Sequence, residues 1–146
     1  MKKYTIEITE NQANVIKEAL EVFARLGIGQ FRDALESLPL KPHAEGWHDD
    51  MLVIGQILKK YTRSNVDGWQ SSLSIHSQDV NDEAQIAWDI YQVVRRKLSW
   101  DYAIGNGWVK DENDSRNWKE MMGVNYDDPL QVGPEPLAKI ELSERT

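Results

Sequence analysis

Asn81-Asp82-Glu83-Ala84-Gln85-Ile86-Ala87-Trp88-Asp89-Ile90-Tyr91-Gln92-Val93-Val94-Arg95-Arg96-Lys97-Leu98-Ser99-Trp100 is the stretch whose reading decides the fold. Asn81 is a good N-cap residue, because its side-chain oxygen can accept a free backbone N–H of the first turn. At ~100° per residue, Ala84, Ile86, Ala87, Trp88, Ile90, Tyr91, Val93, Val94 and Leu98 cover roughly 220° of a helical wheel. A helix that apolar belongs in the middle of a fold. Its polar side chains Gln85, Asp89, Gln92 and Arg96, spaced four, three and four, form one narrow stripe. Buried polar groups left unsatisfied cost about 1–3 kcal/mol each, so solvent, the rest of the chain or a ligand must meet the stripe. Charged side chains are rarely buried, which makes solvent the first expectation. Arg95-Arg96-Lys97 near the helix's C-terminal end has two readings: complement to the helix dipole, or a clamp for a phosphate, which guanidinium groups bind bidentately.

On the N-terminal side, Lys3-Tyr4-Thr5-Ile6-Glu7-Ile8 alternates in character and predicts a first strand. Thr9 stands three residues before Gln12, a capping-box pattern opening a helix to about Leu26, with Gly27 as its stop. Ala13, Ile16, Leu20 and Phe23 give that helix its core face. Gly27-Ile28-Gly29 reads as a helix end followed by a close-packed turn. A short helix over 31–38 ends before Pro39, and Trp47, Met51, Ile54, Leu58 and Tyr61 predict an amphipathic helix over 44–63. Residues 64–68 read as a turn and 72–76 as a short strand. Beyond Asp101, 103–120 reads as a long surface loop, and the alternating Leu137-Ala138-Lys139-Ile140-Glu141-Leu142 predicts a last strand, antiparallel to the first. The expectation is a single α+β domain over 1–146: a small antiparallel sheet of two or three strands packed against three main helices. So small a sheet leaves edges, and so apolar a helix needs cover, so a twofold homodimer is expected.

Composition bounds the chemistry. The 146 residues, 40% hydrophobic and 28% charged, suffice for one globular domain. The absence of Cys excludes disulfides, thiolate zinc sites and a cysteine nucleophile. The opening Met1-Lys2-Lys3-Tyr4 lacks the apolar run of a signal peptide, and no stretch approaches the ~20 apolar residues of a membrane span, so a cytoplasmic protein off the membrane is expected. A net charge of −7 argues against general affinity for DNA, RNA or anionic membrane.

The common catalytic and nucleotide-binding motifs are missing: no phosphate-binding Gly-rich Lys loop, no dinucleotide fingerprint between strand and helix, no paired-His zinc motif and no nucleophile elbow. His43, His48 and His76, with Asp49 and Asp50 nearby, could supply a metal site through neutral imidazoles and carboxylates. His43 and His48 stand five apart, off the four-residue spacing that places two ligands on one helical face, so no metal and no cofactor is expected. The six Trp are an unusual number; Trp47 and Trp88 fall on core faces, whereas Trp69, Trp100 and Trp108 fall where loops can frame a pocket and a ring can stack on a base.

One resemblance sharpens this. Leu26-Gly27-Ile28-Gly29-Gln30-Phe31, Ser74-Ile75-His76-Ser77, Trp88-Asp89-Ile90-Tyr91-Gln92-Val93-Val94-Arg95, Leu98-Ser99-Trp100-Asp101 and Glu135-Pro136-Leu137-Ala138-Lys139-Ile140 together resemble a family of small proteins encoded by tailed bacteriophages and prophages. By class the resemblance extends to counter-defence sponges that hold nucleotide immune signals, such as the ADP-ribose derivatives of Thoeris-type defence. It implies a non-enzymatic protein that takes up an ADP-ribose-type or cyclic nucleotide. It implies Gln30, His76, Gln92 and Arg95 or Arg96 as polar contacts, with Phe31 or a Trp such as Trp100 stacking on the base. The chain differs from the family pattern at Arg96, where a second His is expected. Two rivals stand beside this reading: an acidic inhibitor of a host protein, using the carboxylates at 111–114 and 127–128, and a hydrolase using Asp89 with His76.

Overall fold

The computed structural model describes residues 1–40, 44–61, 72–112, 114 and 128–143. Four helices make up its regular structure: α1 (Glu10–Gly27), α2 (Phe31–Glu36), α3 (Trp47–Lys59) and α4 (Asp82–Gly105). The chain signals its own helix starts. The Gln12 N–H donates to Thr9 Oγ1 at 3.3 Å while the Thr9 N–H donates to Gln12 Oε1 at 2.8 Å, the reciprocal box expected from the sequence. Thr9→Ala is expected to cost about 1 kcal/mol, measured as a fall in the thermal midpoint of unfolding. At α4 the Ala84 N–H donates to Asn81 Oδ1 at 2.9 Å. The helix runs five residues past Trp100, to Gly105, before the chain turns back through Gly107 at φ 68°. There Trp100, Ala103 and Val109 bury one another, with Trp108 packed on them and edge-on to Tyr102. The loop expected from residue 103 therefore starts later.

The α1–α4 pair is the backbone of the molecule. Gly27, the last residue of α1, lies against Ala84 in the first turn of α4, so closely that a Cβ on Gly27 would come within 2.2 Å of the Ala84 Cβ. Both helices bury small residues, Ala13 and Ala24 on α1 and Ala84 and Ala87 on α4, which suits a close approach. A second cluster joins α2 to α3: Phe31, Leu35 and Met51 are buried, with Trp47, Leu58 and Leu26 packed against them. Gly46, at φ 80°, turns the chain into α3. Of the apolar face expected for that helix, Trp47, Met51 and Leu58 reach the core, whereas Ile54 and Tyr61 are exposed.

The α+β expectation is corrected here: the protein is helical, with no strand or sheet among the described residues. Residues 3–8 have no ladder partner there, and Tyr4 and Ile6 are exposed at 90% and 73%. At 72–76 two local bonds and one to the end of α1 replace a ladder. The Leu73 N–H donates to the Ile28 carbonyl, the His76 N–H to Ser74 Oγ, and the Ser77 N–H to the Ser74 carbonyl. Serine's habit of bonding its own neighbourhood makes this stretch a turn. At 137–142 the half-buried residues are Leu137 and Ile140, three apart, where a strand face would repeat every two. Alternating chemistry is a necessary feature of a half-buried strand, but the ladder partner makes the strand.

Candidate functional site

The polar stripe of α4 is satisfied by the chain itself. Gln85 Nε2 donates to the Ile75 carbonyl at 2.9 Å. Asp89, only 3% exposed, accepts the Val132 N–H at 2.9 Å and the Gly133 N–H at 2.8 Å. Gln92 bonds residue 130 in both directions, Nε2 donating to the Leu130 carbonyl at 3.1 Å and Oε1 accepting the Leu130 N–H at 3.4 Å. Arg96 Nε donates to Asp128 Oδ1 at 3.0 Å and Nη1 to Glu112 Oε2 at 3.1 Å. Positions 96, 92 and 89 thus fasten positions 128, 130 and 132–133 of an irregular segment, the strap. The registers agree physically. Three or four helical residues advance about 4.5–6 Å, close to the roughly 6.6 Å that two residues of chain span when extended, so one stripe residue can meet every second strap residue.

Gly133 ends the strap where the backbone comes closest to α4: a Cβ there would lie 3.1 Å from the Ile86 nitrogen and 3.3 Å from Asp89 Oδ2. Gly133→Val is accordingly expected to lift the strap from the helix, read as faster amide exchange at Val132.

After Gly133 and the two prolines the chain comes back past α4 and leaves a groove. Its walls are Val93, Arg96 and Lys97 of α4, Glu112, Pro129 and the segment Leu137–Leu142, around a volume of about 720 Å³. Arg96, Lys97 and Lys139 bring positive charge to it, Glu112 and Glu141 negative charge, and Val93, Pro129 and Ile140 an apolar surface. Asp101 pairs with Lys97 one turn further along α4, and the Arg96 guanidinium lies 6.0 Å from the Trp100 ring centre, placing a cation over an indole face.

The residues expected to bind a ligand are distributed over three places. Arg96 lines the groove; Gln92 holds the strap beside it, and Trp100 is buried under Arg96. Arg95, one residue on, points elsewhere: its guanidinium sits 5.0 Å over the Tyr91 ring, with Nη1 donating to the Tyr91 hydroxyl at 3.3 Å. Burial raises the Tyr91 phenol above its usual range, against the pull of Arg95. The folded chain therefore holds a proton that the unfolded chain releases first, so this contribution to stability is present below the usual tyrosine value and is lost as pH rises through the folded one. Gln30 accepts from Arg25 Nη1 at 2.6 Å and donates to Ser72 Oγ, so it ties the α1–α2 turn to the 72–73 segment. Phe31 is in the α2–α3 core, and His76 is exposed in the turn before α4. Lys139 is the groove residue that the sequence reading passed over. It is the one base in 128–143, and that isolation was the available signal.

Both oxygens of Asp89 accept backbone N–H groups, which gives this carboxylate a structural task. Among the described residues no three His, Asp or Glu side chains are grouped to hold a metal ion; His43, Trp69 and Asp127 lie outside the described residues. No described helix is long and apolar enough to cross a membrane. No family model, no curated protein and no solved structure matches the chain.

Proposed function

We propose that the protein binds a small nucleotide-derived molecule in the groove beside α4 and holds it without chemical change, withdrawing an ADP-ribose-type or cyclic-nucleotide signal from a defence effector in the host cytoplasm. The observation that carries the reading is the groove itself. Its volume of about 720 Å³ falls in the range of roughly 300–1,000 Å³ typical of small-molecule sites. Its apolar surface suits a base or ribose face, and Arg96, Lys97 and Lys139 suit phosphates. Glu112, Asp128 and Asp101 hold Arg96 and Lys97 in position beside the groove. The resemblance of the sequence to small tailed-phage proteins, extended by class to counter-defence sponges, suggests the ligand class. The acidic-mimic reading is weakened, because Glu112 and Asp128 face Arg96 within the molecule.

The test is a thermal-shift panel of ADP-ribose, its cyclic and amino-acid-linked derivatives, cyclic dinucleotides and ATP, followed by calorimetry on any ligand that raises the midpoint. A ligand at ~100 times its Kd adds about 2.7 kcal/mol of stability. Arg96→Ala is expected to weaken binding by about tenfold to a hundredfold, and Arg95→Ala, which faces Tyr91, to leave it within about twofold. Ligand released by heating is recovered intact. A flat panel, equal losses in the two arginine variants, or turnover of excess ligand would overturn the proposal.

A further inference from the structure

Helix α3 carries more apolar surface than its own chain covers. Its Trp47, Met51 and Leu58 side pack against α2, while Val53, Ile54, Ile57 and Tyr61 stand exposed at 54%, 38%, 47% and 80% along an adjoining face. A contiguous exposed stripe of this kind is a mark of an interface, since scattered apolar residues are normal on a surface and aligned ones are not. The sequence positions show what it fits. Asp50, Val53, Ile57 and Lys60 are spaced three, four and three, the seam of a helix that packs lengthwise on another helix. The seam is acidic at its first position and basic at its last, with Val53 and Ile57 between.

Such a seam is complementary to itself when reversed. If two copies of α3 lie antiparallel about a twofold axis, Val53 meets Ile57 of the second copy, and Asp50 meets Lys60 of the second copy; each contact then occurs twice. Ile54 and Tyr61 flank the seam and widen the apolar contact. The helix dipoles of an antiparallel pair also run in opposition, so that the N-terminus of each copy lies beside the C-terminus of the other. A parallel pair would instead set Asp50 against Asp50, and a basic or acidic partner would satisfy only one end.

We infer that α3 is the homodimerisation surface of this protein, with a second copy docked antiparallel along Asp50, Val53, Ile57 and Lys60. This face is separate from the groove beside α4, so the inference stands apart from the proposed ligand.

Sedimentation velocity across the micromolar range tests it, with circular dichroism as the check on folding. The wild-type chain is expected to show a concentration-dependent dimer. Ile57→Glu, which sets a charge at the centre of the seam, is expected to give monomer throughout with an unchanged helical spectrum. Asp50→Lys and Lys60→Glu, both at exposed positions, are each expected to weaken the dimer about tenfold, because each places like charges opposite one another twice. The double variant Asp50→Lys/Lys60→Glu is expected to return to within about twofold of wild type, since it exchanges the two ends of every pair. A wild-type monomer at high micromolar concentration, a dimer indifferent to Ile57→Glu, or a double variant no better than the single ones would overturn it.

Discussion

Asp89→Ala is expected to lower stability by about 3 kcal/mol, because hydrogen bonds to a charged acceptor contribute roughly 1.5–3 kcal/mol and the change leaves two strap N–H groups without it. For a chain of this size that is a fall of roughly 10 °C in the thermal midpoint. The expectation follows from burial and geometry together: Asp89 is 3% exposed and receives the Val132 and Gly133 N–H groups within 3.0 Å. Asp89→Asn keeps one acceptor oxygen and places a donor against backbone donors, so a loss of about half as much is expected. Gln92→Ala, at the exposed end of the same row, should cost about 1 kcal/mol. An Asp89→Ala loss no larger than that of Gln92→Ala would show that the strap is not fastened at Asp89. The same variant connects stability to the proposed function. Strap residue Pro129 lines the groove, and residues 137–142 follow the strap after Pro134-Glu135-Pro136, so Asp89→Ala is also expected to abolish the proposed ligand binding without touching a groove residue.

The second large effect is expected at the α1–α4 crossing. A Cβ on Gly27 would stand 2.2 Å from the Ala84 Cβ, and Ala84 is fully buried. Neither atom is the end of a flexible chain, so relief requires the helices to move apart. Overpacking of this kind costs about 1–3 kcal/mol, and a larger side chain more. Gly27→Leu is expected to lose at least about 3 kcal/mol in urea unfolding, and Gly27→Ala about 2 kcal/mol even though alanine is the better helix former. The pair can be separated from general helix effects by a double-mutant cycle. Ala84→Gly should be destabilising alone, but in the Gly27→Ala background it removes the colliding methyl, giving a coupling of about 1–2 kcal/mol. Additive effects of the two changes would place the close approach elsewhere.

Local signals in the sequence mapped well onto local structure. Thr9 with Gln12, and Asn81, mark helix starts because a cap is decided by residues within one turn. The breadth of apolar surface on Asn81–Trp100 likewise placed that helix at the centre, against α1 on one side and the strap on the other. The strands failed for the opposite reason. Tyr4-Thr5-Ile6 and Ala138-Lys139-Ile140 alternate as strand residues do, but a strand depends on a partner that no window of sequence contains. The stripe Gln85, Asp89, Gln92 and Arg96 was legible as a feature and misjudged in its partner. Solvent was the first expectation, whereas the backbone at 75 and 130–133 and the carboxylates of Glu112 and Asp128 take that place. The strap comes from residues more than thirty positions downstream, beyond the reach of helical periodicity. Of the groove lining, Arg96 stands in the basic cluster of the sequence, and Arg95 beside it turns to Tyr91 because adjacent helical residues project about 100° apart.

The central claim is that α4 uses its polar stripe to hold the C-terminal strap and so creates the groove. Amide hydrogen exchange at Val132 and Gly133 tests this most directly. The account predicts protection of both amides in the wild-type chain by at least about a hundredfold over an unstructured peptide, and its loss in Asp89→Ala while the amides of α1 stay protected. Exchange of Val132 and Gly133 at the unstructured rate in the wild-type chain, or protection that survives Asp89→Ala, would contradict it.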